Sequence, residues 1–247
     1  MIRFIEKANL PQNKVNFVIC GSDDEKILSF FEKENISVIK NKPNPHIDPS
    51  VSFHADMSAL HLGKSEIILD KAQNVLAENL ERNGMKVHFT ENNISGKYPD
   101  DVKLNFAAIG DYVIGNFKHI DENLEKLLAE KIRINVKQGY CKCSVLVLSE
   151  SSVITDDSSI NAELLKNGFQ SLLVSKGDVS LPGHEYGFIG GASGKISKDT
   201  VVFFGDISRH RDFQRIKEFL NQNRCTYICT DSGPLRDIGG IICLGEK

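Results

Sequence analysis

The sequence has neither a long apolar run nor an excess of basic residues. Its apolar runs, such as residues 201–204, are far shorter than the ~20 residues that a bilayer-spanning helix needs. Its 30 Lys and Arg residues against 33 Asp and Glu residues give a net charge of −3, which offers no basic surface to nucleic acid or an anionic membrane. The charged stretch Met1–Lys7 is unlike a secretory signal. We therefore expect a cytoplasmic protein with a small-molecule ligand and no nucleic-acid or membrane partner. The oligomeric state stays open, a homo-oligomer included.

The cysteine pattern is that of neither a disulfide-stabilised protein nor a zinc protein. Six cysteines in 247 residues do not make a disulfide framework, so we expect reduced thiols. Cys141 and Cys143 are separated by one residue and Cys225 and Cys229 by three, whereas zinc knuckles have two, and no histidine cluster accompanies them. No cofactor motif is present either, so the sequence predicts no metal and no cofactor.

Hydrophobic periodicity predicts five amphipathic helices. They cover residues 23–35, 70–83, 121–131, 157–167 and 209–223. Four of them begin at an aspartate, which suits the positive end of a helix dipole, and two end at Asn-Gly, where glycine adopts the left-handed capping conformation. A short β-like run follows each helix, at residues 36–39, 85–89, 132–136, 169–174 and 225–229.

Pairs of strands are predicted between these helices. The pairs are 51–62 with 66–69, 103–109 with 111–114, 141–148 with 152–154, and 188–196 with 200–204. A fifth first strand, 235–244, has its partner at the other end of the sequence, 14–20, and we expect the two to pair. The repeated unit is therefore strand–strand–helix–strand. Five such units, closed by the N- and C-terminal strands, predict a single α/β-propeller domain over residues 1–247 with pseudo-fivefold symmetry. The alternative is a doubly wound α/β sheet, which needs only single strands between its helices.

In such a ring the first strands of the five units converge on a central channel. Strand alternation places His54 and Asp56 on one face, which makes them a candidate acid–base pair. The same alternation puts Cys141 and Cys143 on one face and Lys142 on the other. Two Gly-Gly pairs indicate close approach of the backbone to a ligand or to another strand. These pairs are Gly190-Gly191 and Gly239-Gly240.

The fivefold unit resembles the pentein, or guanidino-group-modifying, superfamily, and most of all its compact dimethylarginine dimethylaminohydrolase type. The superfamily includes arginine and agmatine deiminases, amidinotransferases and a non-catalytic, ribosome-binding initiation factor. In the enzymes a Gly-Gly-x-x-Cys near the C-terminus supplies the nucleophile, and Gly239–Cys243 is similar to it. The segment Ser50–Asp56 resembles the strand that carries the first acidic residue. The resemblance implies that Cys243 is the nucleophile and that Asp56 holds a substrate cation, with His54 as a candidate proton shuttle.

The sequence also departs from the superfamily pattern. Residues 102–105 lack the second acidic residue, and Tyr140–Lys142 stands where the enzymes carry the histidine that protonates the leaving amine. Two hypotheses therefore remain, namely a cysteine-dependent hydrolase or amidinotransferase acting on an amidine or guanidine, and a non-catalytic binding or assembly protein. We expect little or no turnover of methylarginines, arginine or agmatine.

The residues expected to contact the ligand lie on the predicted first strands. They are Asn105, Lys142, Gly190, Gly191, Ser193, Asp237, Gly239 and Gly240. Simpler roles stay open for several of the candidates: a buried apolar role for Cys243, packing for Cys141 and Cys143, a turn for Ser193, and a surface ion pair for Arg236 and Asp237.

Overall fold

Five helices form where the apolar periodicity predicts them, although each is shorter than predicted. A sixth helix, of four residues, lies within the predicted strand 51–62. The computed structural model describes residues 2–247. Its α-helices are α1 (Glu25–Lys33), α2 (Ala55–Ser58), α3 (Asn74–Arg82), α4 (Glu122–Leu127), α5 (Ser158–Lys166) and α6 (Phe213–Gln222). Three aspartates cap them, because the side chains of Asp24, Asp121 and Asp157 accept hydrogen bonds from backbone N–H groups of the first turn. Gly84 and Gly168 end α3 and α5 with φ angles of 89° and 80°.

The strands are short and number β1 to β18 along the chain. The first nine are β1 (Arg3–Phe4), β2 (Val15–Ile19), β3 (Ser37–Ile39), β4 (Ala59–Gly63), β5 (Glu66–Leu69), β6 (Lys86–Phe89), β7 (Ala107–Ile109), β8 (Tyr112–Gly115) and β9 (Ile132–Asn135). The others are β10 (Val145–Ser149), β11 (Ser152–Thr155), β12 (Gln170–Leu173), β13 (Val179–Ser180), β14 (Ser193–Lys195), β15 (Thr200–Phe203), β16 (Thr226–Cys229), β17 (Leu235–Arg236) and β18 (Ile242–Glu246).

Within residues 2–247, one sheet topology recurs. In β4-β5-β6, β7-β8-β9, β10-β11-β12 and β14-β15-β16, an antiparallel hairpin is followed by a helix and then by a strand parallel to the second. The remaining larger sheet has the order β1-β18-β2-β3 and draws on both ends of the chain. The structure therefore confirms the α/β class and the strand–strand–helix–strand unit.

The predicted pairing of the chain's two ends is also present. β18 runs antiparallel to β2, with Cys243 opposite Val18 and Ile242 opposite Ile19. Glu246 is buried beside this pairing and accepts hydrogen bonds from the backbone N–H groups of Gln12 and Asn13 at 2.7 and 2.9 Å. This contact joins the last strand to the segment that precedes β2.

The predicted first strands are wrong in their first halves. Residues 51–58 form turns and α2, 141–144 and 188–192 form turns, 103–106 are not strand, and 237–241 separate β17 from β18. The backbone here bonds to buried side chains instead of to a neighbouring strand. The side-chain Oδ1 of Asn105, for example, accepts hydrogen bonds from the N–H groups of Lys142 and Cys143. The strand-alternation argument for His54 with Asp56, and for Cys141 with Cys143, is therefore incorrect.

Apolar clusters between the helices and the sheets hold these units together. Phe31 of α1 is fully buried and packs edge-on against Phe204 at a centroid distance of 6.3 Å. Fully burying a side chain of this size contributes about 1.5–3 kcal/mol. In residues 2–247, no helix combines the length and the apolar character needed to cross a membrane.

Candidate functional site

A cavity of about 880 Å³ lies among the loops that precede the strands. Residues 45–51, 96–101 and 181–188 contribute to its walls, together with His54, Tyr140, Cys143 and Asp237. A volume of this size accommodates a small organic ligand.

Aromatic rings cover one part of the cavity wall. Tyr140 lies between Tyr98 and Phe188, with ring-centroid distances of 5.6 and 6.0 Å, and Tyr186 meets Phe188 edge-on at 6.2 Å. The Tyr140 hydroxyl donates a hydrogen bond of 2.8 Å to Asp101. Burial and this carboxylate raise the pKa of Tyr140, and burial raises the pKa of Asp101. The rings are thus fixed beside a carboxyl group.

The charge of the lining is mostly acidic. The acids are Asp48, Asp101, Glu185 and Asp237, whereas Lys97 is the one lysine or arginine that the described residues place on the lining. Histidines 46, 54 and 184 complete the titratable groups. An acidic wall next to aromatic faces favours a cation over an anion.

Cys143 joins the cavity to a buried polar cluster. Its Sγ donates to Oδ2 of Asp56 at 3.0 Å and receives a hydrogen bond from Nδ2 of Asn105 at 3.1 Å. The same Asn105 amide donates to the backbone carbonyl of Asp56 at 3.1 Å. Asn105 therefore fixes the turn that carries Cys143 against α2, which carries Asp56. This cluster brings together residues that lie far apart in sequence.

The electrostatics of this cluster keep the thiol protonated. Asp56 is fully buried, and burial raises its pKa to about 6, although His54 and Lys142 oppose the shift. Burial and the carboxylates of Asp56 and Asp237 raise the pKa of Cys143 well above its ordinary value. The Cys143 thiol is therefore in contact with a proton acceptor, Asp56, but its surroundings disfavour the thiolate form.

His54 and Asp237 lie side by side in the cavity wall. Nδ1 of His54 is 3.7 Å from Oδ1 of Asp237 and has no hydrogen-bond partner among residues 2–247. Asp237 accepts the N–H groups of Phe188 and Gly239 at 2.8 and 2.9 Å. These bonds fix the carboxylate between two loops. The prediction that Arg236 and Asp237 form a surface ion pair is wrong, because Asp237 is buried and Arg236 pairs with Asp24 and Asp231.

The Gly-Gly pairs permit the close approach of these side chains. A Cβ on Gly191 would lie 2.0 Å from Oδ1 of Asp237, and one on Gly239 would lie 2.4 Å from Cβ of His54. Gly239 and Gly240 also have positive φ angles of 73° and 60°. Close backbone approach is thus the reason for the glycines, but they do not lie in strands as expected. Gly190 and Gly191 lie in a turn, and Gly239 and Gly240 lie in the irregular segment between β17 and β18.

A second, smaller cavity of about 20 Å³ contains the other thiol candidate. Cys243 lines it together with Lys142, Lys195, Gly190 and Ser193. The Cys243 thiol donates to the carbonyl of Lys195 at 3.3 Å, and burial raises its pKa to about 12, although Lys142 opposes the shift. The expectation of one shared cavity is corrected here, because Cys243 lines the smaller cavity and His54 and Asp237 line the larger one.

The sequence analysis missed the position of Cys143 and most of the cavity wall. Cys141 is fully buried with its thiol bonded to the Gln138 carbonyl, which is a packing role, but Cys143 contacts the polar cluster. Tyr98 and the aspartates within the proline-bearing segments 41–49 and 90–101 were the signal that could have indicated a binding surface. No group of His, Cys, Asp and Glu in residues 2–247 is arranged to hold a metal ion.

Comparison with known proteins supplies a family and a fold. A family profile described as "Family of unknown function (DUF6873)" matches residues 18–242, and no curated protein matches the chain in sequence. SxtG, an amidinotransferase of the saxitoxin biosynthetic pathway from Microseira wollei, is similar in structure with a TM-score of 0.64, 10% identity and 98% of each chain covered. The inosamine-phosphate amidinotransferase of Streptomyces griseus has a TM-score of 0.63 at 11% identity, with 99% of this chain and 98% of its own covered. The dimethylarginine dimethylaminohydrolase of Pseudomonas aeruginosa has a TM-score of 0.54 at 10% identity, with 88% of this chain and 93% of its own covered.

These identities show a shared fold and nothing further. The fold is the pentein fold that the sequence resemblance implied.

Proposed function

Because the chain belongs to the DUF6873 family, whose description names no activity, we propose its function from its own side chains. The larger cavity binds a small molecule that carries an amidinium or guanidinium group. The observation that carries this proposal is the lining, in which four carboxylates stand beside a row of aromatic rings and only one lysine opposes them.

The lining suits a planar cation in two ways. An amidinium or guanidinium ion stacks on aromatic faces such as Tyr98, Tyr140 and Phe188, and its N–H groups donate in pairs to carboxylates such as Asp101 or Asp237. A contact of this kind contributes about 0.5–2 kcal/mol per ring. An ammonium ion lacks the plane, and a neutral urea or amide lacks the charge, so both would bind more weakly.

The arrangement of the sheets supports the same reading. We place the five larger sheets in a closed ring of pseudo-fivefold symmetry, an α/β propeller, with the cavity at its centre. Contacts of β10 with β7 and β14, and of β18 with β4, are consistent with the ring, as is the likeness to the solved amidinotransferases.

The free thiols suit a reducing cytoplasm, where we place the protein.

The chemistry that this site supports is cysteine-dependent. The thiol of Cys143 transfers its proton to Asp56, and the sulfur attacks the central carbon of the bound amidinium to form a C–S bond. Asp56 then returns the proton to the departing amine, and the C–N bond breaks. In the second half-reaction, water in a hydrolase or an amine in an amidinotransferase attacks the same carbon while His54 accepts its proton. The C–S bond then breaks, and the departing sulfur of Cys143 takes the proton back from His54, which restores the thiol. A bound cation next to the sulfur lowers the pKa of the thiol, which makes the first transfer feasible.

The assignment of the nucleophile differs from the one implied by the superfamily motif. Cys243 matches the motif in sequence, but its thiol lies in the smaller cavity with apolar and lysine neighbours. Cys143 lies in the cavity that holds the carboxylates and is in contact with a proton acceptor. His54 keeps its candidate role as a proton shuttle. Asp56, which the resemblance implied would hold a substrate cation, instead accepts the proton of Cys143.

A second candidate function is binding without catalysis. The raised pKa of Cys143 favours it, and so does the absence of the superfamily's histidine at Tyr140–Lys142. The same cavity and the same ligand class apply, and only the thiol step is absent.

Calorimetric titration with matched charged and neutral ligands tests the binding proposal. We expect acetamidinium and agmatine to bind at least 10-fold more tightly than acetamide and the urea analogue of agmatine. Asp101→Asn keeps an acceptor for Tyr140 while it removes the charge, so it should weaken binding of the cations only. Asp111→Asn, at an exposed turn, is the matched control and should leave binding unchanged. Equal affinity for the charged and neutral members of a pair would refute the proposal.

Product analysis separates the two candidate functions. Cys143→Ser should still bind the cations. If the wild type releases ammonia or transfers the amidino group and Cys143→Ser does not, the protein is an enzyme. If neither does so while binding is intact, it is a binding protein.

A further inference from the structure

A buried carboxyl group that the proposed chemistry does not use lies behind the wall of the larger cavity. Asp156 directly follows β11, is only 4% exposed, and is not among the residues that line either cavity. Its Oδ2 accepts the N–H group of Ile189 at 2.7 Å, whereas its Oδ1 is buried without a hydrogen-bond partner among residues 2–247. Burying a charged group that is only partly hydrogen-bonded is costly, so this site favours the protonated carboxyl group.

The backbone before β14 connects Asp156 to the cavity. The N–H group of Phe188 donates to Oδ2 of Asp237 at 2.8 Å, and the next N–H group along the chain, that of Ile189, donates to Asp156. Because consecutive backbone nitrogens are close together, the two bonded carboxyl oxygens are at most about 9 Å apart. Asp237 lines the larger cavity, and Phe188 belongs to its aromatic wall. Asp156 therefore stands directly behind the part of the wall where we place the cation.

The charged groups that act on Asp156 come from three segments. Asp157 is its neighbour in sequence, Lys176 lies between β12 and β13, and Asp237 lies between β17 and β18. Lys176 favours the ionised form of Asp156, but its ammonium group pairs with Asp157 at 3.8 Å. Burial and the two neighbouring carboxylates favour the protonated form and raise the pKa of Asp156 to about 7. Asp156 is therefore close to half protonated at neutral pH.

We propose that Asp156 makes cation binding in the larger cavity pH-dependent, because it releases its proton to water when a cation occupies the cavity and takes a proton back when the cation leaves. The inference rests on the proposed binding of an amidinium or guanidinium ion in that cavity. A positive charge beside Asp237 stabilises the ionised form of Asp156, so by linkage the ionised protein binds the cation more tightly. At a separation of about 12 Å inside a protein, this attraction corresponds to roughly a 10-fold difference in affinity between the two forms.

Calorimetric titration with acetamidinium at pH 6, 7 and 8 tests the inference, since this ion keeps its charge throughout that range. Ionisation of Asp156 should make the wild type bind roughly 5-fold more tightly at pH 8 than at pH 6, and Asp156→Asn should lack this component. Asparagine keeps an acceptor for the N–H group of Ile189. His54 and the other titratable groups of the cavity are present in both proteins, so comparing the two pH dependences isolates the effect of Asp156.

The controls separate this inference from the proposed function. Asp111→Asn, at an exposed turn, should keep the pH dependence of the wild type. If Asp156→Asn binds acetamidinium with the same pH dependence as the wild type, the inference is overturned and the proposed function stands. If the wild type binds acetamidinium no better than acetamide, both are overturned.

Lys176→Met provides a second variant, at a side chain that is 37% exposed. Loss of this positive charge should raise the pKa of Asp156 further, so the increase in affinity should move to higher pH. An increase that stays at the same pH as in the wild type would overturn the inference. This measurement decides if Asp156→Asn does not fold.

Discussion

Replacing Asp56 by asparagine removes a fully buried charge and preserves the shape of the side chain. In the folded protein, burial raises the pKa of Asp56 to about 6 from an ordinary value of 3.8. A folded pKa above the unfolded one means that the folded state holds the proton more tightly between these two values. The free energy of unfolding that this group contributes is therefore lost as the pH rises from about 4 to about 6. Above pH 6 the folded protein carries the full cost of a buried, ionised Asp56.

The size of this cost follows from the shift. About two pKa units at 1.36 kcal/mol each correspond to roughly 3 kcal/mol. Asp56→Asn should therefore be more stable than the wild type by up to roughly 3 kcal/mol at pH 8, while the two proteins should be similar at pH 4.

Urea unfolding of both proteins between pH 4 and pH 8 measures the difference. Subtracting the free energy of unfolding of the wild type from that of the variant at each pH cancels the titration of other buried groups, such as Asp156. Asp157→Asn is the matched control, because asparagine keeps the cap of α5 but loses a charge. Burial tends to raise the pKa of Asp157, but hydrogen bonds from Ser159 and Ile160 outweigh it and lower the pKa. That variant should thus be less stable than the wild type at neutral pH. A stability difference for Asp56→Asn that does not change with pH would refute the reasoning.

Three further outcomes are expected. Burial lowers the pKa of His61 to about 4, so in urea unfolding the stability of the wild type relative to His61→Gln should fall by roughly 3 kcal/mol as the pH falls from 7 to 4; a difference that does not change with pH would contradict this. Gly239→Ala should lower the melting temperature more than Gly168→Ala, since the new methyl group would meet His54 in the first case and open space in the second; equal losses would contradict this. Chloroacetamidine should alkylate Cys143 before the other thiols in peptide mass spectrometry, with displacement of chloride, and faster than neutral chloroacetamide does; alkylation of another cysteine first would argue against Cys143.

The repeated unit could be predicted from the sequence because its signals are local. Amphipathic periodicity marks each helix, and the capping carboxylates of Asp121 and Asp157 bond to N–H groups two and three residues ahead. The pairing of residues 14–20 with the last strand followed from counting units, since only one unit lacked a partner.

The site could not be predicted in the same way because its contacts are long-range. Cys143 and Asp56 are 87 residues apart, and nothing in the residues around either one indicates the other. Strand alternation failed at the first strands because Asn105 and Asp237 take up backbone N–H groups that a neighbouring strand would otherwise bond. The sequence therefore identified Asp56, His54 and Asp237 as candidates but favoured Cys243 over Cys143 as the thiol.

Pairing of β2 with β18 affects the order in which the chain folds on the ribosome. Residues 15–19 of β2 are made long before residues 242–246 of β18, so at about 5–20 residues per second β2 waits on the order of 10–45 s for its antiparallel partner. The three-stranded sheets assemble from neighbouring residues and can form as they emerge. During this interval β2 presents an unpaired apolar edge, which is the kind of surface that recruits other chains. The first sheet to begin is thus the last to be completed, and the nascent chain most needs chaperone protection at residues 15–19.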